Sequence, residues 1–165
     1  MRVFLLRPAI PSDLEAVVEL AGYLDSPNLP CDEAFLRARL ERSERAFAHA
    51  GPPAAEREYQ FALADESGRV VGTCAILSKH GTRGSPHVYL QVGEEERYAA
   101  SVGVAMRHVV LQLRATWDGP TELGSLVLHP DVRGHAGAPG KLLSWGRFAY
   151  VARHRAAFER ELLAE

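Results

Sequence analysis

The stretch "LVLHPDVRGHAGAPGKLLSWGRFAYVARHR", Leu126 to Arg155, decides the fold expected for this chain. A short apolar run comes first, small residues and glycines follow, and a Gly-Lys pair opens a longer segment with helical character. The pattern predicts a strand over Thr121–His129 and a glycine-rich turn. A helix then begins at Gly137 or Gly140 and continues to about Phe158.

A strand that enters a helix through such a turn presents several backbone N–H groups at one point, where the helix dipole adds partial positive charge. Arg133 and Lys141 bring formal charge to the same place, so the stretch predicts a pyrophosphate-binding site. Gly140 is expected to lie close to a phosphate or to have a positive φ. The alternative is an ordinary loop in which a glycine caps the helix.

Two common nucleotide-binding loops do not fit these residues. Gly134 and Gly140 are six positions apart, where the ATP-type phosphate loop requires five, and Leu142 follows Lys141 where that loop has Ser or Thr. The GxGxxG pattern of dinucleotide-binding domains is also absent from the sequence.

The other segments predict a mixed α/β (α+β) fold. A first helix has a capping box at Ser12 and Glu15, and Gly72 indicates a bulge or a close backbone approach. The charged side of the second helix, with Arg37 and Arg39, is expected to be solvated, and a basic binding surface is the alternative. The predicted elements are a strand at Arg2–Arg7, helices after Ser12 and over Asp32–His49, a hairpin of Tyr59–Ala64 with Val70–Ser78, and a strand at Val88–Val92, while Tyr98–Leu113 has no clear period. Together they predict one domain over residues 1–165, a mostly antiparallel sheet flanked by helices.

Composition restricts the function classes. The chain has 47% hydrophobic and 24% charged residues, a net charge of −2 and a pI near 6.4, so neither nucleic acid nor a membrane surface is an expected partner. No zinc-ligand spacing occurs, so no metal site is predicted. No membrane span or signal peptide is recognised. Cys31 and Cys74 are expected to be buried thiols in a reducing cytoplasm.

The run Leu-Val-Leu-His-Pro-Asp-Val-Arg-Gly, followed by Gly-Lys-Leu-Leu, resembles the acyl-CoA-binding motif of the GCN5-related N-acetyltransferase (GNAT) superfamily. That motif consists of a strand, Pro-x-x-Arg, small residues and a helix. Here the segment from Arg133 to Leu142 is longer than usual, and residues 136–139 are the additional ones.

A closer resemblance is to the amino-terminal half of the arginine N-succinyltransferase family. It rests on RPAIPSDLEAVVELA, LPCDEAFLRARLERSERAF, YQFALADESGRVVGTCAIL and TELGSLVLHPDVRGHAGAPGKLLSWGRFAYVARHRAAFERELLAE. The resemblance implies a GNAT-like sheet without its carboxy-terminal strands. It also implies transfer of succinyl from succinyl-CoA to the α-amino group of arginine, in arginine catabolism.

The same resemblance implies which residues meet the co-substrate. Leu126 matches a leucine that lines the succinyl-CoA site, and neighbouring positions of the strand and turn would surround the pantetheine and pyrophosphate. The implied acyl-CoA-binding residues are Leu126, Val127, Leu128, Arg133, Gly134, Gly137, Gly140 and Lys141. The stretch ATWDGPTEL differs from the family's pattern, so the substrate contacts there are not assigned.

Acyl transfer to an amine needs a group that takes a proton and donors that stabilise an oxyanion. Strand N–H groups around Leu126 to Leu128 are candidates for the donors. Glu122 and His129, at the two ends of the same strand, are the candidate proton acceptors. A salt-bridged strand carboxylate and a polar turn residue are the respective alternatives.

The family's proton-donating histidine lies in a second half that has no counterpart here, so the chain is expected to depend on a further half or subunit. An unpaired edge beyond Thr121–His129 would favour a homo- or hetero-oligomer that completes the sheet. Two other functions stay open: a GNAT acetyltransferase acting on another amine, and a non-catalytic acyl-CoA-binding module.

Overall fold

The computed structural model describes residues 3–24, 26–49, 51–52, 54 and 57–164. They form two compact units, which are described separately: a body, residues 1–80 and 120–165, and a ribbon, residues 81–119. The prediction of a single acyltransferase-like domain over residues 1–165 stays a prediction.

The body is built on a five-stranded sheet in the order β1-β2-β3-β6-β7. All neighbouring strands are antiparallel except β6 and β7, which run parallel. The strands are β1 (Leu5–Pro8), β2 (Glu58–Ala64), β3 (Val70–Leu77), β6 (Thr121–Leu128) and β7 (Leu162–Ala164), and the helices are α1 (Leu14–Ala21), α2 (Glu33–Ala48) and α3 (Pro139–Arg153). The ribbon contains β4 (His87–Ala99) and β5 (Val104–Thr116).

Helices cover both faces of the sheet because side chains alternate along each strand. Ala62 packs with Leu36 and Leu40 of α2 and with the apolar side of α1. Its neighbours Phe61 and Leu63 point the other way, into a core that includes Leu143 and Val151 of α3. The predicted mixed, mostly antiparallel sheet flanked by helices is confirmed. The edge beyond β6 was expected to be unpaired, and this is wrong for Thr121–Leu123, which pair with β7.

The start of α1 differs from the predicted capping box at Ser12 and Glu15. A 3₁₀ turn, Pro11–Asp13, precedes the helix, and the Asp13 carboxylate accepts the Ile10 N–H at 2.9 Å. Arg7 also pairs with this carboxylate at 2.7 Å. Asp13 therefore organises the helix start, and the capping-box prediction is wrong.

Gly72 follows the prediction made for it. The β2–β3 register shifts between Leu63 and Ala64, opposite Gly72 and Val70. A Cβ atom at Gly72 would lie 2.9 Å from a methyl carbon of Leu143, which is closer than real Cβ contacts come. The bulge and the close approach are therefore both present.

The strands of the ribbon are longer than the sequence predicts. Each has 13 residues, whereas the sequence predicts only Val88–Val92 and shows no clear period over Tyr98–Leu113. Charged residues at 94–97 interrupt the apolar alternation, and these positions are strand through cross-strand pairing instead. The predicted end of the last helix, at about Phe158, is also wrong. Helix α3 ends at Arg153, and a 3₁₀ turn, Arg155–Ala157, follows.

Candidate acyl-CoA and amine site

The middle of β6 contains a β-bulge. Thr73 pairs with Val127 and Ala75 with Gly124, so one residue of β3 lies opposite two of β6, Ser125 and Leu126. Ser125 has a φ of +54°, unusual for a residue with a side chain. A bulge interrupts the regular ladder, so backbone groups here are available to a ligand.

Buried polar contacts hold this bulge from one side of the sheet. Arg39 of α2 donates from Nη2 to Ser125 Oγ at 2.9 Å and from Nη1 to the Asn28 carbonyl at 2.6 Å. The Ser125 hydroxyl donates to that carbonyl at 2.8 Å, and Glu58 forms an ion pair with Arg39. Burial lowers the pKa of Arg39, and the charge of Glu58 opposes the fall. The guanidinium still stays protonated at neutral pH.

A second buried arginine supports the bulge from α3. Arg147 Nη1 donates to the Gly124 carbonyl at 3.3 Å, and burial lowers the pKa of Arg147. The positive-φ conformation of Ser125 is therefore held by two helices, one on each face of the sheet.

A polar pocket of about 220 Å³ adjoins the bulge. Its lining combines two carboxylates, one guanidinium, one imidazole and a small apolar floor. The lining residues are Pro27, Asn28, Phe35, Arg39, Glu58, Ala75, Leu77, His80, Glu122, Gly124 and Ser125. Two carboxylates against one guanidinium make this pocket suited to a cationic group.

Glu122, one of the two predicted proton acceptors, lies in this pocket and is 6% exposed. Asn28 Nδ2 donates to its Oε1 at 3.3 Å, and His80 Nδ1 lies 3.0 Å from its Oε2. The carbonyl of Asn28 holds Ser125 and its amide holds Glu122. One loop residue therefore fixes both the bulge and the carboxylate.

His129, the other predicted proton acceptor, lies beyond the opposite end of β6. Seven residues at ~3.3 Å each place it roughly 23 Å from Glu122 along the strand. Its Nδ1 accepts the Asp131 N–H at 3.2 Å, and its Nε2 lies 3.1 Å from Glu19 Oε1 and 3.0 Å from Arg69 Nη2. The structure does not bring His129 and Glu122 into one site. The ring of His129 instead caps the 3₁₀ turn Pro130–Val132.

The glycine-rich turn follows directly. Gly134 has a φ of +74° and Ala138, which precedes α3, a φ of +47°. Arg133 and Lys141 are both exposed, and Arg133 Nε donates to the Leu128 carbonyl at 3.1 Å. The turn therefore presents two cationic side chains to solvent.

The turn also has N–H groups to offer. Hydrogen bonds within it use the N–H groups of Ala138, Lys141 and Leu142. Within the described chain, the N–H groups of Gly134, Ala136 and Gly140 have no acceptor. They remain available to an anion.

Two of the predicted glycines behave differently from expectation. Gly140 lies in the first turn of α3 without a positive φ, so that part of the expectation is wrong, and a close approach to phosphate stays a prediction. Gly137 donates its N–H to His135 Nδ1 at 3.0 Å. Its amide is therefore used inside the turn.

The three strand residues predicted to line the acyl-CoA site have different surroundings. Leu126 is 37% exposed, so its side chain can meet a ligand. Val127 is buried in the core next to α1, and Leu128 packs against the core next to α3. The last two can offer a ligand chiefly their backbone.

A family model described as "Arginine N-succinyltransferase beta subunit" matches residues 4–165, nearly the whole chain. This chain belongs to that family. A relative from Pseudomonas aeruginosa, named arginine N-succinyltransferase subunit beta, is 34% identical over 163 residues, which are 98% of this chain and 47% of that protein. An arginine N-succinyltransferase of Escherichia coli K12 is 33% identical over 166 residues, 99% of this chain and 47% of that protein.

Solved structures agree. The arginine/ornithine succinyltransferase subunit AI of Pseudomonas aeruginosa superposes with a TM-score of 0.85 at 29% identity, covering 100% of this chain and 50% of that one. The loading GNATL domain of CurA from Lyngbya majuscula, at 18% identity, has a TM-score of 0.51 over 98% of this chain and 64% of that one, and shows the fold alone. The chain thus spans about half the length of its succinyltransferase relatives.

The sequence did not predict that Arg39 and His80 line the polar pocket. Arg39 was expected on a solvated helix face, yet it is 5% exposed. Its position in α2 could have indicated burial, because Arg39 lies three residues after Leu36 and four before Ser43, on the same face as Leu40, and all of these residues are buried. His80 comes close to Glu122 only through the pairing of β3 with β6.

Other findings qualify the remaining expectations. Cys31 is exposed and Cys74 is buried, and both are free thiols, so the expectation of two buried cysteines is wrong for Cys31. No helix in the described ranges is long and apolar enough to cross a membrane. Among the same residues no group of three or more His, Cys, Asp or Glu side chains has a metal-binding arrangement.

Proposed function

We propose that this chain transfers succinyl from succinyl-CoA to the α-amino group of arginine. The observation that supports it is the order of features along β6. The polar pocket lies beside Glu122, the bulge at Ser125 comes next, and the cationic turn begins after Leu128. An acyl-CoA lying along this strand has its pyrophosphate at one end and its thioester beside an amine pocket.

The turn suits the pyrophosphate of CoA. Arg133 and Lys141 supply positive charge, and the N–H groups of Gly134, Ala136 and Gly140 are available donors. Charge-assisted hydrogen bonds to phosphate are about twice as strong as neutral ones. The exposed side chain of Leu126 faces the pantetheine in this proposal.

The polar pocket suits the amine. Its two carboxylates, Glu58 and Glu122, face one guanidinium, Arg39, and Glu58 is already paired with that guanidinium. The α-amino group in its neutral form attacks the thioester carbonyl carbon. Glu122 accepts the proton that the nitrogen loses, directly or through a water.

The transfer then balances in one addition and one elimination. A C–N bond forms, and the carbonyl oxygen carries the negative charge while backbone N–H groups at the bulge stabilise it. The C–S bond breaks, sulfur leaves as the thiolate of CoA, and the proton that left the amine is returned to sulfur. The products are an N-succinyl amide and free CoA.

We place this reaction in the cytoplasm, because both cysteines of the chain are free and reducing compartments keep thiols in that form. Since the family relatives are about twice as long, the proposal also includes a second polypeptide half that raises turnover. Arginine, succinyl-CoA and that second half are the proposed partners.

The test is release of free thiol from succinyl-CoA in the presence of arginine, with acetyl-CoA and other amines as comparisons. The chain is assayed alone and mixed with the separately expressed carboxy-terminal half of the Pseudomonas aeruginosa relative. Calorimetry measures acyl-CoA binding in parallel. We expect Glu122→Gln to lower turnover by ~10²–10⁴-fold with little effect on succinyl-CoA affinity, and His129→Asn to serve as the matched comparison at the other end of β6.

Each result has a separate meaning. Arginine-dependent thiol release in either mixture, stronger with succinyl-CoA than with acetyl-CoA, supports the proposal. Preference for acetyl-CoA and another amine replaces it with a different acetyltransferase. Binding of succinyl-CoA without turnover in both mixtures makes the chain a binding module, and absence of binding at millimolar ligand contradicts the site itself.

A further inference from the structure

Two buried arginines contact the bulge of β6, and their charges are balanced differently. Arg39 is paired with the Glu58 carboxylate. Arg147 is 6% exposed, yet among the described residues no carboxylate forms an ion pair with it, and Cys74 is the titratable group whose charge acts on it. Burial raises the pKa of Cys74 to about 12, so this thiol is neutral at pH 7. Within the described chain, Arg147 is therefore a buried cation without a counter-charge.

Most donors of Arg147 are also unused. Its guanidinium has five N–H donors, and within the part of the chain that the structure describes it makes one hydrogen bond, from Nη1 to the Gly124 carbonyl at 3.3 Å. Nε is fully buried without an acceptor there. Nη2 has no acceptor either, but it is not one of the fully buried atoms, so a ligand can reach it. Because buried charges are normally paired and buried donors bonded, this arrangement indicates an anionic ligand.

We propose that Arg147 binds the free carboxylate of the succinyl group and so determines the preference for succinyl-CoA, an assignment that rests on the proposed function because that function places the thioester at the bulge. A carboxylate forms two parallel hydrogen bonds with one edge of a guanidinium. Nε and Nη2, the two nitrogens without acceptors among the described residues, lie on the same edge. A carboxylate that meets Nη2 therefore also faces Nε.

The length of the succinyl group fits this contact. Three C–C bonds of about 1.5 Å separate the thioester carbon from the carboxylate carbon, so the two carbons are no more than about 4 Å apart. Gly124 lines the polar pocket, and its carbonyl is the group that holds Arg147. Ser125, the positive-φ residue of the bulge, is the next residue. A thioester at the bulge is therefore within one succinyl length of the guanidinium.

The glycine at position 124 keeps this part of the strand open. A Cβ atom at Gly124 would lie 3.0 Å from Glu122 Oε1, so a side chain there would crowd the proposed proton acceptor. Its absence leaves space for the acyl group between Glu122, which lines the pocket, and Arg147, which approaches the same strand from α3. The amine and the acyl carboxylate thus have separate places beside one residue.

A carboxylate from a second polypeptide is the alternative anion, and the placement of Arg147 favours the acyl group. From the bulge, β6 leads to the turn with Arg133 and Lys141, which holds the pyrophosphate in the proposed function. A CoA bound at that turn brings its own acyl group to the bulge. A second polypeptide would instead have to insert a side chain beside a buried residue.

The experiment is titration calorimetry of the full chain with succinyl-CoA and with butyryl-CoA, whose four-carbon acyl group ends in a methyl group where succinyl has its carboxylate. We expect the wild-type chain to bind succinyl-CoA roughly 10- to 100-fold more tightly, as for a hydrogen bond to a charged group. Arg147→Gln should remove this preference without weakening butyryl-CoA binding, and Arg147→Lys, which keeps the charge, should retain part of it. The matched control, Arg153→Gln, removes an exposed arginine of the same helix and should keep the full preference.

Circular dichroism and a melting curve show whether the variants are folded, and the comparison of the two thioesters on the wild-type chain needs no variant. Equal wild-type affinities for succinyl-CoA and butyryl-CoA overturn the assignment of Arg147. A preference that survives in folded Arg147→Gln also overturns it, because the carboxylate then binds elsewhere. Both results leave the proposed acyl-CoA site standing, whereas absence of binding of either thioester at millimolar ligand contradicts the site and the assignment together.

Discussion

Arg39 and Ser125, 86 positions apart in the sequence, are joined by a hydrogen bond of 2.9 Å between Nη2 and Oγ. It connects a helix to the positive-φ residue of the β6 bulge. The geometry of the proposed acyl-transfer site therefore depends on a buried cation from outside the strand. Breaking this contact should affect stability and catalysis together.

Arg39→Gln is expected to destabilise the body by about 3 kcal/mol, because the partly buried Glu58 carboxylate loses its closer ion-pair partner and keeps, among the described residues, only Arg42, at 3.9 Å. Chemical denaturation measures the change. The matched control is Arg37→Gln on the same helix, since Arg37 pairs with Glu33 on the exposed face and such pairs contribute ~0.3–0.5 kcal/mol. Equal effects of the two substitutions would show that Arg39 does not support the bulge.

Arg133→Ala is expected to weaken CoA binding by about 1–3 kcal/mol, or roughly 5- to 150-fold in Kd. The guanidinium is exposed and oriented by its Nε contact to the Leu128 carbonyl, so its terminal nitrogens can meet phosphate. Titration calorimetry with CoA measures the loss. Arg160→Ala, an exposed arginine elsewhere in the body, should bind CoA as the wild type does, and a similar loss there would indicate a non-specific charge effect.

The Arg7–Asp13 pair gives stability a dependence on acid pH. Burial alone would raise the pKa of Asp13, but hydrogen bonds from Arg7 and the Ile10 N–H, with the charge of Arg7, outweigh it and lower the pKa. The Asp13 carboxyl therefore binds a proton less readily in the folded state than in the unfolded state, where the pKa of an aspartate is about 3.9. The pair's contribution is complete above that pH and is lost as the pH falls through the folded pKa.

Asp13→Asn should therefore be less stable than the wild type at pH 7, and the gap should narrow as the pH falls below about 4. Urea denaturation at a series of pH values measures it. Glu66→Gln, in the exposed β2–β3 turn, is the comparison. A gap that stays constant from pH 7 to pH 3 would mean that Asp13 contributes through packing and not through its charge.

The two cysteines should react with a thiol reagent at very different rates. Burial raises the pKa of Cys74 to about 12, and the thiolate is the reactive form, whereas Cys31 is exposed. We expect one fast equivalent in the native chain and a second only after denaturation. Cys31→Ser should abolish the fast phase, and fast labelling that survives this substitution would place Cys74 at the surface.

The sequence by itself determined the local elements that carry the site. An apolar strand, a glycine-rich turn and a helix after Pro139 follow from residues within 30 positions of one another, because backbone conformation and N–H supply at a turn are local properties. The β2–β3 hairpin follows from the sequence for the same reason, whereas the partner in the close approach at Gly72, Leu143 of α3, is set by tertiary packing.

Only the tertiary structure decided which side chains share a pocket. Strand pairing puts Glu122 beside His80, and the loop between α1 and α2 brings Asn28 to it. His129 is roughly 23 Å away along the strand, although both Glu122 and His129 are candidates in the sequence. Burial of Arg39 likewise depends on Glu58 and Ser125, which come from other elements. A charged side chain can be buried only where ion-pair and hydrogen-bond partners surround it. Because these partners come from elements that are distant in the sequence, no local pattern predicts the burial.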